Sequence, residues 1–481
     1  MNPFIIAYII GTALIIEGAL MLLPIVCALV YKESITPFVI TIAICLGLGF
    51  VMRNIEKHKH GSIRSKEAYV STGLTWIVMS LTGMLPFLLS GSMTNAVDAF
   101  FETVSGFTTT GASILTDVEA LPHGVLMWRS QMHWIGGMGI LVFMLALIPI
   151  SGGTQMNLFK AESPGPSISK LVPHAQDTAK ILYSIYTALT ALTMILLIIF
   201  RMPAFDAICI AFGAAGTGGF GVLNSSCADY TVAQQIIITV AMAAFGINFN
   251  FYFFLLIRKF KDALHMEEVR IYIGIIIVTT ILITESFLFN STYDNIGEAL
   301  LTSAFHVSSI ITTTGYGTTD MNTWPLLSQM LILLLMFVGA CAGSTGGGLK
   351  VSRAVIMFKA YKREIATVTK PDTVKMVHMD GKCVDEDVVR STSVYFFIYI
   401  IIMAVSILLI SFNHFDFLTT FSSVIATFNN IGPGFGVCGS AGNYSAFSNV
   451  SKLILSADML IGRLEIFPIM VLFLKSTWKK F

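Results

Sequence analysis

The chain has 481 residues, 55% of them hydrophobic and only 12% charged, with a net charge of +1. Water-soluble domains carry about 25% charged residues, so this composition cannot coat a water-facing surface of ordinary size. It excludes a soluble enzyme, a disordered scaffold and a secreted disulfide-bonded domain, and it offers nothing to a nucleic acid. Apolar stretches recur down the whole length, each reaching the roughly 18 residues needed to cross a hydrocarbon core. The sequence is that of an all-α polytopic membrane protein.

In chain order, the first stretch is 3–31. It follows no basic region, precedes no cleavage site and is too long for a signal peptide, so it reads as a retained span. With 36–52 it forms an N-terminal two-helix unit over 1–67. Eight further spans are expected at 68–92, 124–150, 178–201, 231–257, 269–290, 325–358, 390–412 and 450–475. Four shorter apolar segments lie between them, at 95–108, 203–216, 296–312 and 416–429. Segments of about 10–14 residues are more often re-entrant than spanning. Each ends in a Gly/Thr/Asn-rich stretch. The pattern of span, half-helix and span therefore occurs four times, over 68–151, 178–258, 269–363 and 389–481.

Charge sorts the connections. Residues 93–123, 203–230, 290–324 and 413–449 contain no Lys or Arg and ten acidic residues. The basic residues gather in the alternate loops: Arg53, Lys57, Lys59, Arg64 and Lys66; Lys160, Lys170 and Lys180; Arg258, Lys259, Lys261 and Arg270; and nine from Lys350 to Arg390. By the positive-inside rule those loops are cytoplasmic and the half-helices enter from outside. Both termini then lie inside, in keeping with the tail lysines Lys475, Lys479 and Lys480.

The four half-helix exits align on a glycine. They read Thr109-Thr110-Gly111, Thr217-Gly218-Gly219, Thr313-Thr314-Gly315 and Asn430-Ile431-Gly432. Non-helical backbone at membrane depth survives only where it lines a wet cavity or is buried in protein. Inward carbonyls can replace the hydration shell of a monovalent cation, and glycine permits the angles that turn them to one side. The half-helix C-termini add about half a negative charge each. Four converging ends would favour a cation, and the acidic outer face would add a screened attraction.

These residues carry a resemblance. Thr313-Thr314-Gly315-Tyr316-Gly317 resembles the filter of potassium channels, and four unequal copies on one chain resemble the Trk/Ktr/HKT superfamily of potassium transporters. The stretches Trp128-Arg129-Ser130 with Trp134-Ile135-Gly136-Gly137-Met138-Gly139, then Ala342 to Gly348, then Gly462-Arg463-Leu464-Glu465 match the same family. The two extra N-terminal spans point to the Trk-type membrane subunit. The resemblance implies K⁺ as the transported ion, held by the twelve residues just named. It implies a gating loop at Gly343-Ser344-Thr345-Gly346-Gly347-Gly348, with Arg463 placed below the filter to oppose cation passage. It further implies a homodimer in the plasma (inner) membrane of a prokaryote, with a soluble nucleotide-binding ring docked on its cytoplasmic face. The basic run Lys350, Lys359, Lys362 and Arg363 is the expected docking surface. Only the third copy keeps Tyr-Gly after its glycine, so the outer ion sites are expected to be less regular than in a potassium channel.

Other readings fall away. The glycine run 339–348 has Leu349 where a phosphate loop needs lysine, and Gly216 to Gly221 follows a half-helix rather than a strand. No organic cofactor is expected. The seven cysteines form no CxxC pair. His133 and His306 read as packing residues. A membrane enzyme using Arg463, Glu465 and His133 would need ionisable groups clustered at one depth, and the sequence scatters them. A sodium- or proton-coupled potassium symporter is the alternative within the transporter class.

Overall fold

The computed structural model describes residues 1–55, 64–139, 142, 175–370 and 375–478. Lys57, Lys59, Lys160, Lys170, Lys479 and Lys480, and most of the 151–177 loop, lie outside the described residues.

The N-terminal unit pairs Pro3–Leu20, continued by Leu22–Val30, with Thr36–Asn54. A Cβ on Gly11 would stand 2.7 Å from the Gly49 carbonyl oxygen, and one on Gly49 2.8 Å from that of Gly11. Small residues at a crossing let membrane helices touch backbone to backbone. Pro3–Leu20 then packs on Ser65–Gly83. At the foot of that helix, Glu67 accepts the N–H groups of Asn2 (2.8 Å) and Arg64 (3.1 Å).

Four copies of one motif follow. The first spans are Ser65–Gly83 (extended by Leu85–Leu89), Ala175–Ile199, Glu267–Phe289 and Glu386–Ile410. The short helices are Ala96–Phe107, Ala204–Gly216, Ile296–Ile311 and Phe417–Phe428, each within one residue of the bounds read from sequence. Asn95, Asn295 and Asp416 cap three of them, accepting N–H groups at 3.0, 2.8 and 3.1 Å, while Pro203 precedes the other. The second span of repeat 1 packs on the short helix of repeat 2, that of repeat 2 on repeat 3, that of repeat 3 on repeat 4, and that of repeat 4 on repeat 1. The order 1-2-3-4 therefore closes on itself.

The second spans depart from expectation. Ten continuous spans were expected. Among the described residues six helices can cross unbroken, and Val232–Phe245 with Phe249–Leu256 forms a seventh bent by 91°. In repeat 1, His123–Met138 stops at Gly139, whose φ is +84°. In repeat 3, Leu326–Val338 gives way to a loop before Val351–Thr369. In repeat 4, Asn449–Arg463 and Phe467–Phe473 are separated by Glu465 and Ile466, with φ of +56° and +69°. All four second spans thus break or end part-way. Hydropathy misses most of these breaks because Leu464 and Ile466 are as apolar as the helix around them.

Side chains facing away from the bundle are large and apolar: Leu22, Val26, Ile277, Val405 and Leu408 are each at least half exposed, which suits lipid. The loops leading into and out of the short helices form an acidic face. The opposite, basic face holds a small hairpin pairing His378–Met379 with Lys382–Cys383.

Close approach sets the sign of helix substitutions. Replacing a helical glycine by alanine ordinarily stabilises by about 0.5–1 kcal/mol, whereas overpacking costs about 1–3 kcal/mol. A Cβ on Gly216 would overlap the His133 carbonyl across the seam between repeats 1 and 2, while one on Gly274 meets nothing within 4 Å. Gly216→Ala is expected to lower the thermal unfolding midpoint in detergent, and Gly274→Ala to leave it equal or higher.

Candidate functional site

Each short helix ends in the same way. Thr109, Thr217, Thr313 and Asn430 take left-handed φ angles of 53°, 54°, 61° and 57°. The next residue's N–H reaches back five positions: Thr110 to Ser105 (2.9 Å), Gly218 to Gly213, Thr314 to Ser309 and Ile431 to Ala426 (each 2.8 Å). This is the Schellman termination, which usually takes glycine at the left-handed position. A threonine or asparagine there carries a steric cost of about 1–2 kcal/mol, and such strain concentrates at functional sites.

Two positions beyond each left-handed residue stand Gly111, Gly219, Gly315 and Gly432, with φ of 77°, 78°, 84° and 92°. A Cβ on Gly111 would overlap the carbonyl oxygen of Gly218; on Gly219, that of Thr314; on Gly315, that of Ile431. One on Gly432 would stand 2.5 Å from that of Thr110. The cycle closes. Four glycines make room for four carbonyls of the neighbouring repeats, and any side chain would meet both the strained φ and the ring itself.

Among the described residues, the carbonyls of Thr109, Thr217, Thr313 and Asn430 accept no hydrogen bond, and neither do those of Thr110, Gly218, Thr314 and Ile431. The side-chain oxygens Thr109 Oγ1 and Asn430 Oδ1 are likewise without a partner. Buried carbonyls are ordinarily paired, and leaving one unmade costs about 1–3 kcal/mol. Two tiers of such oxygens around one closed ring, at the negative ends of four helices, suit a cation as cargo.

Toward the acidic face, among the described residues, the Gly111, Gly219 and Gly315 carbonyls also accept no hydrogen bond, but others are taken up by protein. The Gly432 carbonyl accepts the Tyr444 hydroxyl (2.7 Å), the Tyr316 carbonyl accepts Ser309 Oγ (2.6 Å), and the Tyr316 hydroxyl lies 3.3 Å from the carbonyls of Ile210 and Phe220. These carbonyls are bound by protein. A cavity of about 130 Å³ opens here, lined by the four ring glycines and Arg129. Arg129 is buried against Glu102 (Nε to Oε1 2.6 Å), donates to the Gly221 carbonyl (3.0 Å) and lies 3.7 Å over the Phe220 ring. Glu102 also accepts from Ser113 Oγ and the Ile114 N–H, both at 3.0 Å. Lys452 pairs with Asp98 at 2.7 Å. Both cations near this mouth are therefore neutralised. At its edge, hydrogen bonds from Asn224 and from the Ala120 and Glu119 N–H groups hold the Asp117 carboxyl below its ordinary range.

Toward the basic face, the loop between Val338 and Val351 rises under the ring. Gly339, Gly343, Gly348 and Lys350 have φ between 66° and 75°. The Gly347 N–H donates to Thr313 Oγ1 at 2.7 Å. A Cβ on Gly346 would stand 2.8 Å from the Thr312 carbonyl, and one on Gly347 2.5 Å from that of Asn429. Arg463, from repeat 4, donates to the Thr345 carbonyl (2.7 Å) and to those of Gly136 (2.6 Å) and Gly137 (2.5 Å). Repeats 1 and 3 are diagonal in the ring order, so a guanidinium touching both lies near the centre beneath it.

The structure brings together all twelve ring residues predicted from sequence, with Thr345, Gly346, Gly347 and Arg463 directly below. Gly343 and Ser344 sit lower. The Gly343 carbonyl accepts the Phe249 N–H (3.0 Å), and Ser344 Oγ donates to the Cys341 carbonyl (2.6 Å). His133 is packed, its ring stacked on Phe220 at 4.2 Å. Glu465 pairs with Arg353 rather than Arg463, and Arg353 lies 4.0 Å over the Tyr395 ring. The expected basic docking run is largely spent internally: Lys350 is buried with its Nζ on the Gly346 carbonyl, Lys359 holds Glu267 at 2.6 Å and Arg363 holds Glu386 at 2.7 Å. Lys362 remains exposed. Sequence reasoning passes over Glu102, Tyr399, which donates to Asn429 Oδ1 at 2.9 Å, and Glu268. For Tyr399 and Glu102, a polar group within an apolar helix is itself the signal that could have found them.

Fold and site together define a polytopic helical membrane transporter built from four repeats about one axis. Residues 34–273 and 269–480 match the TrkH cation transport protein family, and the chain belongs to that family. It is 36% identical over 480 residues to the Trk system potassium uptake protein TrkH of Salmonella typhimurium and 35% identical to that of Escherichia coli strain K12, covering 99% of either partner in both comparisons. The crystal structure of the potassium transporter TrkH from Vibrio parahaemolyticus superposes with a TM-score of 0.89 at 31% identity, covering 100% of both chains.

Proposed function

We propose that the chain takes up potassium ions through the ring of four repeats, selecting K⁺ there and admitting it under control of the glycine loop and Arg463. The observation that carries this reading is the closed ring with two tiers of carbonyls to which the protein donates nothing. Such oxygens stand in for the hydration shell of a weakly hydrated monovalent cation. The reading also draws on relatives named for potassium uptake. No organic cofactor takes part. The acidic face is outside and both termini are inside, in the plasma (inner) membrane of a prokaryote, because most basic residues lie in the opposite loops and the stretches around the short helices hold none.

Regulation comes from a second protein. An open K⁺ pathway would dissipate a membrane potential worth about 2.3 kcal/mol per charge per 100 mV. The basic-face loops 53–67, 151–177 and 359–390 fall short of the roughly 100 residues of a typical folded domain. A soluble nucleotide-binding ring of the Trk/Ktr type, docked under a homodimer, would supply the control. With Lys350 buried and Lys359 and Arg363 paired, Lys362 is the exposed cation of the run.

Three outcomes test this. Purified protein in vesicles is expected to take up K⁺ and Rb⁺ in preference to Na⁺, and Gly111→Ser to narrow that preference because its side chain displaces the Gly218 carbonyl. Equal K⁺ and Na⁺ uptake by the unmodified chain would refute the assignment, and repeating the uptake with imposed Na⁺ or H⁺ gradients separates a passive pathway from symport. Arg463→Ala should raise K⁺ flux with the preference over Na⁺ intact; unchanged flux from folded protein would make the arginine a structural tie. Lys362→Glu should weaken co-purification of the ring subunit, and an unchanged yield in moderate salt would move the docking site elsewhere.

A further inference from the structure

Glu268 is a carboxylate 4% exposed, in the first turn of Glu267–Phe289. Buried acids are rare unless paired, and no ion pair engages this one among the described residues. Its partners are backbone. Oε1 accepts the N–H of Ala342 at 2.6 Å and that of Ser352 at 3.0 Å. These two donors stand at opposite ends of the glycine loop. Ala342 precedes the run Gly343 to Gly348, and Ser352 is in the first turn of Val351–Thr369. One oxygen atom therefore bridges the two ends of the loop, beside the Val351 N–H, which donates to the Ala340 carbonyl at 3.0 Å.

Neither donor has an alternative. The N–H groups of a helix's first turn have no partner within the helix, and a negative charge is favoured there. Ala342 lies in non-helical backbone whose neighbour, Cys341, gives its own N–H to the Gly246 carbonyl at 3.1 Å. The second carboxylate oxygen faces Asn248 Nδ2 at 3.4 Å, in the break of repeat 2. There the Phe249 N–H meets the Gly343 carbonyl. A glycine-rich segment has more conformational freedom to lose than any other, so the fixed shape of this loop depends on the ties at its ends. The Glu268 carboxylate supplies two of them and the bond from the Val351 N–H to the Ala340 carbonyl one.

We infer that Glu268 is the positioning residue that clasps both ends of the 339–350 loop and keeps it folded beneath the ring; its effect on ion flux rests on the gate reading given above. Arg463 holds the loop near its tip, at Thr345, and Glu268 holds its base. The clasp is also tied to the basic face. The Glu267 N–H, one residue before it, donates to Asp380 Oδ1 of the hairpin at 2.6 Å, and Lys359 from the helix after the loop binds Glu267.

The test uses a reporter already in the loop. Cys341 is fully buried there, and Cys383 is the exposed cysteine among the seven. In a full-length Cys383→Ser background, N-ethylmaleimide modification of Cys341 is timed by mass spectrometry, beside Rb⁺ efflux from vesicles. Glu268→Ala is expected to speed Cys341 modification about a hundredfold, the order of change from losing two charge-assisted hydrogen bonds, and to raise Rb⁺ efflux severalfold. Glu268→Gln keeps an amide oxygen able to accept both N–H groups and is expected to stay within about twofold on both readouts. Unchanged Cys341 reactivity in folded Glu268→Ala protein overturns the clasp, as does equal acceleration in the alanine and glutamine variants. Faster modification in the alanine variant alone, with unchanged efflux, leaves the clasp standing and overturns the gate reading instead.

Discussion

Two tiers of buried backbone carbonyls that receive no hydrogen bond from the protein are the constraint on which the rest of this structure depends. Backbone polar groups at membrane depth are normally paired within a helix. Leaving eight oxygens bare means interrupting helices at one level in four places and holding each stub from outside. The Schellman turns supply the interruption, with Thr109, Thr217, Thr313 and Asn430 left-handed. The glycines two positions on let each repeat's carbonyl approach its neighbour's backbone. A Cβ at any one of the four would press on a neighbouring repeat's carbonyl and distort the ring.

The four copies share this geometry and divide the remaining work. Glu102 and Arg129 form a buried pair within repeat 1 in which both partners find further hydrogen bonds, and Arg129 reaches repeat 2 at the Gly221 carbonyl and the Phe220 ring. Removing one partner of such a pair is costly, about 3–5 kcal/mol. Repeat 3 sends Tyr316 across to repeat 2 and carries the loop beneath the ring. Repeat 4 contributes Arg463 and, through Tyr444, takes the Gly432 carbonyl out of play. A homotetramer would place the same device on every repeat. A single chain can place an arginine once.

How much of this is legible in sequence follows from which signals are local. The short helices are legible because their length, their caps and the recurring glycine are all properties of a contiguous segment, and their bounds agree to within a residue. The ring residues are legible for the same reason. The breaks in the second spans are not, apart from the glycine-rich one, because Leu464 and Ile466 keep the hydropathy of a continuous helix while taking no helical role. The docking run misleads for a related reason. Lys350 and Arg353 look like ordinary cytoplasmic charges, and only tertiary structure shows them turned inward to Gly346 and Glu465. Glu102 and Glu268 bind groups 11 to 84 residues away, and no spacing rule connects them.

Formal charge is a smaller part of the cation preference than the composition suggests. Of the ten acidic residues on the acidic face, Asp98 and Glu102 are neutralised by Lys452 and Arg129. Exposed acids such as Asp117 act through water and salt, where attraction fades over about 8 Å. The helix ends act at closer range in a drier setting. A half-charge about 6 Å from a unit cation contributes roughly 1.4 kcal/mol at an effective dielectric of about 20, and four together roughly 5–6 kcal/mol. On the gate reading proposed above, the guanidinium of Arg463, half-buried and near the axis, is the opposing charge. Its three carbonyl partners soften that opposition without removing the charge. On that reading, attraction at the ring and repulsion just beneath it act at close range, and a movement of the loop that carried Thr345 away would alter the second while leaving the first in place.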